Sequence, residues 1–302
     1  MEIIATADSA LQAEKLLRAG VDTLYVGNNR FGLRLPASFS VTELQEIVAF
    51  AHGQGKKVII AVNGLMHNEH IAEIPAYLKQ LAEIKADAIA CGDPGVILTL
   101  EELGLDLPFI YDAQTFVTSA EQIAFWVEQG AISAVLAREL TKIEIEKIAS
   151  SLNVPVEVLV YGPTCIHQSK RKLVTNYYNI TDLDESSAKE RGLYLREPGD
   201  ADSMLPIYED ENGTHIFSSE DISLMPYLKE LYQAGITTWK LDGILHESEN
   251  FVRIAKLFVE AKEMIVKDAF VAESFVNQLA ELSNKTRSLD AGFYLKDPDE
   301  VK

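Results

Sequence analysis

Four kinds of side chain in this chain are able to do chemistry, and they occur in short constellations. Lys240 and Asp242 stand two residues apart, so on a strand they share one face. A cation beside a carboxylate there is either a proton-transfer couple or a mutually satisfied pair. Arg138 and Glu139 are adjacent, and read either as a brace across a rim or as ligand-binding groups. Glu157 lies in an apolar run, where a carboxylate polarises a water or bonds to neighbouring strands. Cys165 follows Tyr161-Gly162-Pro163 and precedes His167 and the run Lys170-Arg171-Lys172. Positive neighbours favour a thiolate, although a lone cysteine is more often a packing residue. Asn28, Arg34, Asn63, Asp93, Gln114 and Tyr161 add amides, a guanidinium, a carboxylate and a phenol at the ends of other apolar runs. Together these groups would suit a small, oxygen-rich anion.

The elements that must position them are legible as a cycle of short apolar strand and amphipathic helix. Strands are predicted at 3–7, 23–26, 57–62, 88–91, 109–111, 134–136, 156–160 and 237–241. Each run is apolar on both faces, as parallel strands enclosed by helices are. Gly20, Gly55 and Gly130 close helices just before the next strand. Eight such cycles predict an α/β fold, a (β/α)8 TIM-like barrel, whose C-terminal strand ends converge on one mouth. The expected organisation is one domain over 1–302. It carries a partly β insertion at about 162–220 after strand 7, with a hairpin turn at Asp210-Glu211-Asn212-Gly213. A polar tail follows at about 284–302, which either returns as a short strand at 292–295 or stays loose.

Composition narrows the classes of function. The net charge is −19, from 46 acidic against 27 basic residues, which disfavours this chain gripping a phosphate backbone or an anionic membrane by itself. Two cysteines form no disulfide framework and suit a reducing cytoplasm, and no apolar run is long enough to span a membrane. Walker loop, dinucleotide fingerprint, nucleophile elbow and zinc-protease spacing are all missing, and no metal site is expected. Cys165 and His167 alone supply too few ligands for zinc. As a nucleophile and base at two-residue spacing, they also lack an orienting third group.

Several motifs carry a likeness to a known family. They are Val21-Asp22-Thr23-Leu24-Tyr25-Val26-Gly27, Phe31-Gly32-Leu33-Arg34, Ala51-His52, Asn63 and Asp93-Pro94-Gly95. Gln114, Phe125-Trp126 and Leu136-Ala137-Arg138-Glu139-Leu140 continue it. With these the chain resembles the collagenase-like peptidase U32 family, closest in pattern to its short, cysteine-poor members. The family's signature falls on 157–172, where Glu157, Gly162, Cys165 and Ser169 match. Tyr161, Lys170 and Lys172 replace a His, a Gly and the second Cys. The Lys-Ile-Glu-Gly stretch of relatives appears as Lys240-Leu241-Asp242-Gly243.

The resemblance implies a subunit of a tRNA wobble-uridine 5-hydroxylation system. Many members hold an iron–sulfur cluster on four cysteines. With Cys165 and a remote Cys91, this chain is expected to hold no cofactor of its own. A larger paralogue would carry the cluster and reach the tRNA, and a small anionic co-substrate would enter the mouth. The family's name implies a collagenase-like peptidase, a hydrolase, as the alternative. A non-catalytic scaffold that stabilises its partner is a further one.

Overall fold

The computed structural model describes residues 1–197, 199, 203–283 and 287–299. Seven strands follow one another in parallel, each hydrogen-bonded to the next. They are β1 (Glu2–Thr6), β2 (Thr23–Gly27), β3 (Lys57–Ala61), β4 (Ala88–Cys91), β5 (Phe109–Tyr111), β6 (Ala131–Val135) and β7 (Val156–Ser169). Next come the short β8 (Leu193–Leu195), β9 (Leu205–Asp210) and β10 (Gly213–Ser223). The eighth barrel strand, β11 (Thr238–Leu241), pairs in parallel with β1 on one side and β7 on the other, so the sheet closes. The fold is an α/β TIM-like barrel.

Helices return the chain between strands: α1 (Ala10–Arg18), α2 (Val41–Gly53), α3 (Asn68–Glu83), α4 (Pro94–Leu103), α5 (Ala120–Glu128) and α6 (Lys142–Ser150). Their starts are written in the sequence. Ser40 with Glu43, and Thr141 with Glu144, form reciprocal capping boxes at α2 and α6, and Asp93 caps α4 with Pro94 in its first turn. Leu16, Leu44, Ile74, Leu78 and Phe258 pack this layer against outward strand residues such as Ile3, Leu24 and Ile60. Each fully buried Leu or Ile there contributes about 1.5–3 kcal/mol, so the helix–sheet layer is the main source of stability. The barrel interior is separate. Ile4, Tyr25, Ile59, Ala61, Ala88, Ala90 and Ile110 fill its lower part. The three alanines are small, which leaves room above them.

The segment between β7 and β11 departs from expectation in one respect. Strand 7 does not stop at Val160 but runs on to Ser169, past the barrel wall. There it pairs antiparallel with β10, which pairs with β9, which pairs with β8. Gly162 makes the extension workable. Its φ is +126°, and a Cβ there would lie 2.3 Å from the Asp242 carbonyl oxygen. The turn at 210–213 is a hairpin between β9 and β10. A helix, α7 (Leu173–Thr181), follows β7. Beyond β10 come α8 (Leu228–Gln233), α9 (Ser248–Val266) and α10 (Ala272–Leu282), the last of which has no counterpart in the sequence reading.

The tail's strand lies at β12 (Leu289–Asp290), beside β10, and not at 292–295. The Arg287 guanidinium donates to Asp221 Oδ1 at 2.7 Å and to the Glu220 carbonyl at 2.9 Å, which pins the chain there. Gly292, at φ +56°, then turns it away. The parts of the expected insertion at 198 and 200–202, and of the tail at 284–286 and 300–302, lie outside the described residues.

Candidate active site

The barrel mouth opens into a cavity of about 830 Å³, the size of a small-molecule site. Its floor follows from strand parity. Side chains two apart share a face, so the interior series Ile110 continues to Asp112, Ala61 to Asn63, and Ile4 to Thr6. Glu157, Lys240 and Asp242 join them from β7 and the end of β11. Ten of the twelve residues expected at the site line this cavity: Arg34, Asn63, Asp93, Gln114, Arg138, Glu139, Glu157, Cys165, Lys240 and Asp242.

On the floor both cations are paired, but not as the sequence suggested, while Asp112 is held by the neutral side chains of Asn63 and Gln114. Lys240 does not pair with Asp242. Its Nζ lies 3.4 Å from Glu157 Oε1 and 3.1 Å from the centre of the Tyr25 ring. Asp242 instead takes the Arg138 guanidinium at 3.3 Å, and Arg138 also donates to the Pro163 carbonyl at 2.8 Å. Arg138 therefore braces β11 against β7 and does not pair with Glu139. Burial is the largest influence on Glu157 and, opposed by Lys240 and helped by Asp112, holds its carboxyl above the ordinary range. Asn63 donates to Asp112 Oδ2 at 2.7 Å and to the Tyr25 hydroxyl at 3.0 Å, while its own oxygen accepts from the Leu33 amide. Burial first, then the Asp112 charge, raises the Tyr25 hydroxyl well above its usual value, so it remains a phenol.

The rim is different. Arg34 donates to Gln168 Oε1 at 2.7 Å and to Gln114 Oε1, and Gln114 Nε2 donates to Asp112 Oδ1 at 2.9 Å. Two neutral amides thus hold this guanidinium, and its charge is not spent on a carboxylate. Five non-glycine residues among those described have left-handed backbone. Lys85, Asp182 and Asp268 follow helix ends, where such geometry is ordinary. The other two are Arg34, at φ +52°, and Gln114, at φ +58°, which bond each other across the mouth. Both positions therefore carry backbone strain, held by their mutual hydrogen bond at the cavity rim.

A second grouping was not legible in the sequence. Cys165 lines the cavity, and its partner is not His167, whose carbonyl merely accepts from the thiol at 3.3 Å. Cys165 stands opposite Phe217 in the β7–β10 ladder, diagonal to His215 on the same face. His215 is fully buried and its Nε2 lies 2.9 Å from Asp210 Oδ1. Burial pushes the Cys165 thiol up, but contact with His215 and the charges of Arg34 and Arg138 outweigh it and bring it below its ordinary value. Burial likewise pushes the His215 imidazole down, and Asp210 and Cys165 overturn that, so it sits above its ordinary value.

Two expected residues are elsewhere. Asn28 donates to the Phe39 carbonyl at 2.9 Å and accepts from the Arg30 amide at 2.9 Å, tying the loop after β2. Tyr161 lies beyond an irregularity in β7, where Lys240 faces Leu159 but Leu241 faces Tyr161. The extra residue flips the strand's parity, and the ring packs outward against Phe258 and His246. The run Lys170–Lys172 makes no ion pair with the insertion among the described residues; Lys170 reaches the Glu211 carbonyl at 3.2 Å. An iron–sulfur cluster does not fit this chain. Four thiolates or close substitutes are needed, whereas Cys91 is buried within β4, Cys165 faces the mouth, and no group of three or more His, Cys, Asp or Glu side chains placed to hold a metal occurs among the described residues.

The family model described as "Peptidase family U32" matches residues 8–302. The chain belongs to the U32 family. Among its relatives in that family, tRNA hydroxylation protein P2 of Bacillus subtilis (strain 168) is 36% identical, over 98% of each chain. tRNA hydroxylation protein P1 of the same organism is 23% identical, over 94% of this chain and 69% of that longer one. The solved structure of a U32 peptidase covers 80% of this chain and 92% of its own, with a TM-score of 0.50 and 14% identity, a likeness of fold alone. Among the described residues no helix is long and apolar enough to cross a membrane.

Proposed function

We propose that this U32 protein is the short subunit of a tRNA wobble-uridine 5-hydroxylation system in the cytoplasm, acting with a longer U32 paralogue. The observation that carries the reading is the end-to-end 36% identity to a protein named for tRNA hydroxylation. In the same organism a longer relative bears the companion name, which suits a pair of unequal length. The charge of −19 supports giving the RNA contact to the partner, and the presence of only two, separated cysteines supports giving it the iron–sulfur cluster.

The cavity's part in this reading is to hold a small anionic co-substrate. Arg34 is its anchor, because two neutral amides hold it at the rim, whereas Lys240 and Arg138 are already matched to Glu157 and Asp242 and Lys170 is turned to the Glu211 carbonyl. A guanidinium presented by two amides offers a carboxylate paired N–H donors, worth about 1.5–3 kcal/mol for a charge-assisted contact. Glu157, held above the ordinary carboxyl range by burial, is the floor's proton carrier.

The test is nucleoside mass spectrometry of tRNA from a strain lacking the gene, complemented with wild type or with Arg34→Gln. Loss of 5-hydroxyuridine-derived nucleosides, restored by wild type and not by the variant, is the expected result. Full restoration by Arg34→Gln would remove the anion site from the reading. An unchanged profile in the deletion strain, where deleting the longer paralogue changes it, would refute the role in hydroxylation.

A further inference from the structure

We propose that Cys165, His215 and Asp210 form a nucleophilic thiol site at the rim of the cavity, which takes small carboxylates bearing an electrophilic carbon. The site is independent of the hydroxylation reading, since it concerns what the thiol does and not what the assembly modifies.

Three observations carry it. Cys165 lines the cavity and is half-buried, so a small molecule entering the mouth meets the sulfur. His215, diagonal to it across the β7–β10 ladder, is fully buried; Asp210 holds its Nε2, and its Nδ1 has no hydrogen-bond partner. A buried imidazole nitrogen without a partner is costly, and Cys165, whose side chain interacts with this ring, has a proton to give it. Asp210 supplies the third member, fixing the ring's tautomer and stabilising the imidazolium, as the orienting group of a nucleophile–base pair does. The facing charges agree. Arg34 and Arg138 act on the sulfur from the β2 and β6 loops, while Asp210 lies on the far side of the ring.

The step balances without a further reactant. The Cys165 proton passes to His215 Nδ1, and the sulfur lone pair forms a bond to the electrophilic carbon. Where that carbon is a carbonyl, its π pair moves to oxygen, which takes the proton back from His215. Arg34 holds the carboxylate.

The chain contains its own control. Cys91 is wholly buried in β4, where burial drives the thiol far up, so in the native protein it should not react. The experiment is alkylation of the native protein with iodoacetate and with iodoacetamide from pH 5 to 9. Here an S–C bond forms, the C–I bond breaks and iodide leaves, with the site read by peptide mass mapping. Cys165 alone should be modified, with a pH midpoint below that of the urea-unfolded chain. The iodoacetate-to-iodoacetamide rate ratio should exceed the ratio in the unfolded chain. Asp210→Asn and His215→Gln should each slow the reaction at pH 6 by about tenfold, as a one-unit rise in midpoint does. Arg34→Gln should bring the iodoacetate-to-iodoacetamide ratio down to that of the unfolded chain and also raise the midpoint, since its charge favours the thiolate. A native midpoint equal to the unfolded one would overturn the proposal. So would an unmoved midpoint in an Asp210→Asn protein whose circular dichroism matches wild type.

Discussion

Replacing Lys240 by Met removes the cation from the floor while keeping most of its volume. Lys240 Nζ faces Glu157 at 3.4 Å and the Tyr25 ring at 3.1 Å, and both partners are buried. Breaking a buried pair by removing one partner costs about 3–5 kcal/mol, because the other charge stays behind. Here the carboxyl has a way out, which is to take up a proton. Protonating a carboxylate of ordinary pKa, about 4.3, costs about 1.36 kcal/mol per unit of pH above it. The ceiling is therefore about 3.7 kcal/mol at pH 7 and about 1 kcal/mol at pH 5.

The sign follows from linkage. Glu157 already sits above its unfolded value because of burial, and loss of Lys240 raises it further. Relative to wild type the penalty is then absent below the wild-type folded pKa and grows as pH rises from there toward the variant's higher one. The lost contact with the Tyr25 ring adds about 0.5–2 kcal/mol that does not depend on pH. Urea unfolding of wild type and Lys240→Met at pH 5, 6 and 7 measures both parts. The difference between the proteins should widen by up to about 2.7 kcal/mol from pH 5 to pH 7, close to 1 M in midpoint at a slope near 3 kcal/mol per M. In a Glu157→Gln background the same substitution should show no such widening. A pH-independent cost, or a widening that persists in the Glu157→Gln background, would refute the assignment of Glu157 as the group left unpaired.

Two further outcomes are expected. Gly162→Ala places a methyl 2.3 Å from the Asp242 carbonyl at a φ of +126°, so it should cost about 3 kcal/mol or more and lower the thermal midpoint. Gly55→Ala, also at positive φ but with nothing within 4 Å, should cost only about 1–2 kcal/mol, and equal effects would discount the crowding argument. Asp22 accepts from the Ile3 amide at 2.8 Å and from Lys262 at 2.6 Å. Burial pushes its carboxyl up, but these bonds and the charges of Lys262 and Lys56 hold it below the ordinary range. Its stabilisation is present above the unfolded pKa of about 3.9 and lost as pH falls through the folded value. Asp22→Asn should therefore cost about 1.5–3 kcal/mol in urea unfolding at pH 7, and the gap to wild type should narrow steadily as pH falls below about 4; a constant gap would contradict it.

What the sequence discloses about this site tracks the range of the interactions involved. Parity along a strand is local, so it sets Lys240 and Asp242 on one face, and the same rule carries Ile110 on to Asp112. Parity fails where a strand takes an extra residue. Tyr161 lies just past such a point and turns outward, which no spacing rule foretells. Asn28 has the composition of a site residue but sits in a tight loop, where a side-chain amide bonds to nearby backbone first.

The choice of partner is less legible still. Lys240 is two residues from Asp242 and eighty-three from Glu157, yet it pairs with the latter, which stands opposite Thr238 on the adjacent strand β7 and is the diagonal neighbour of Lys240 in that ladder. His215 and Asp210 meet Cys165 only because β7 overruns the barrel wall and accepts β10 beside it. That pairing is long-range and includes two irregularities of register. The sequence therefore locates the mouth and most of its lining, whereas the division into a floor of matched cations and a rim with one amide-held guanidinium is a property of the closed barrel. The division matters for function. With both floor cations already matched, recognition of an anion falls, on the proposed reading, to Arg34 at the rim, on the same cavity as the Cys165 thiol.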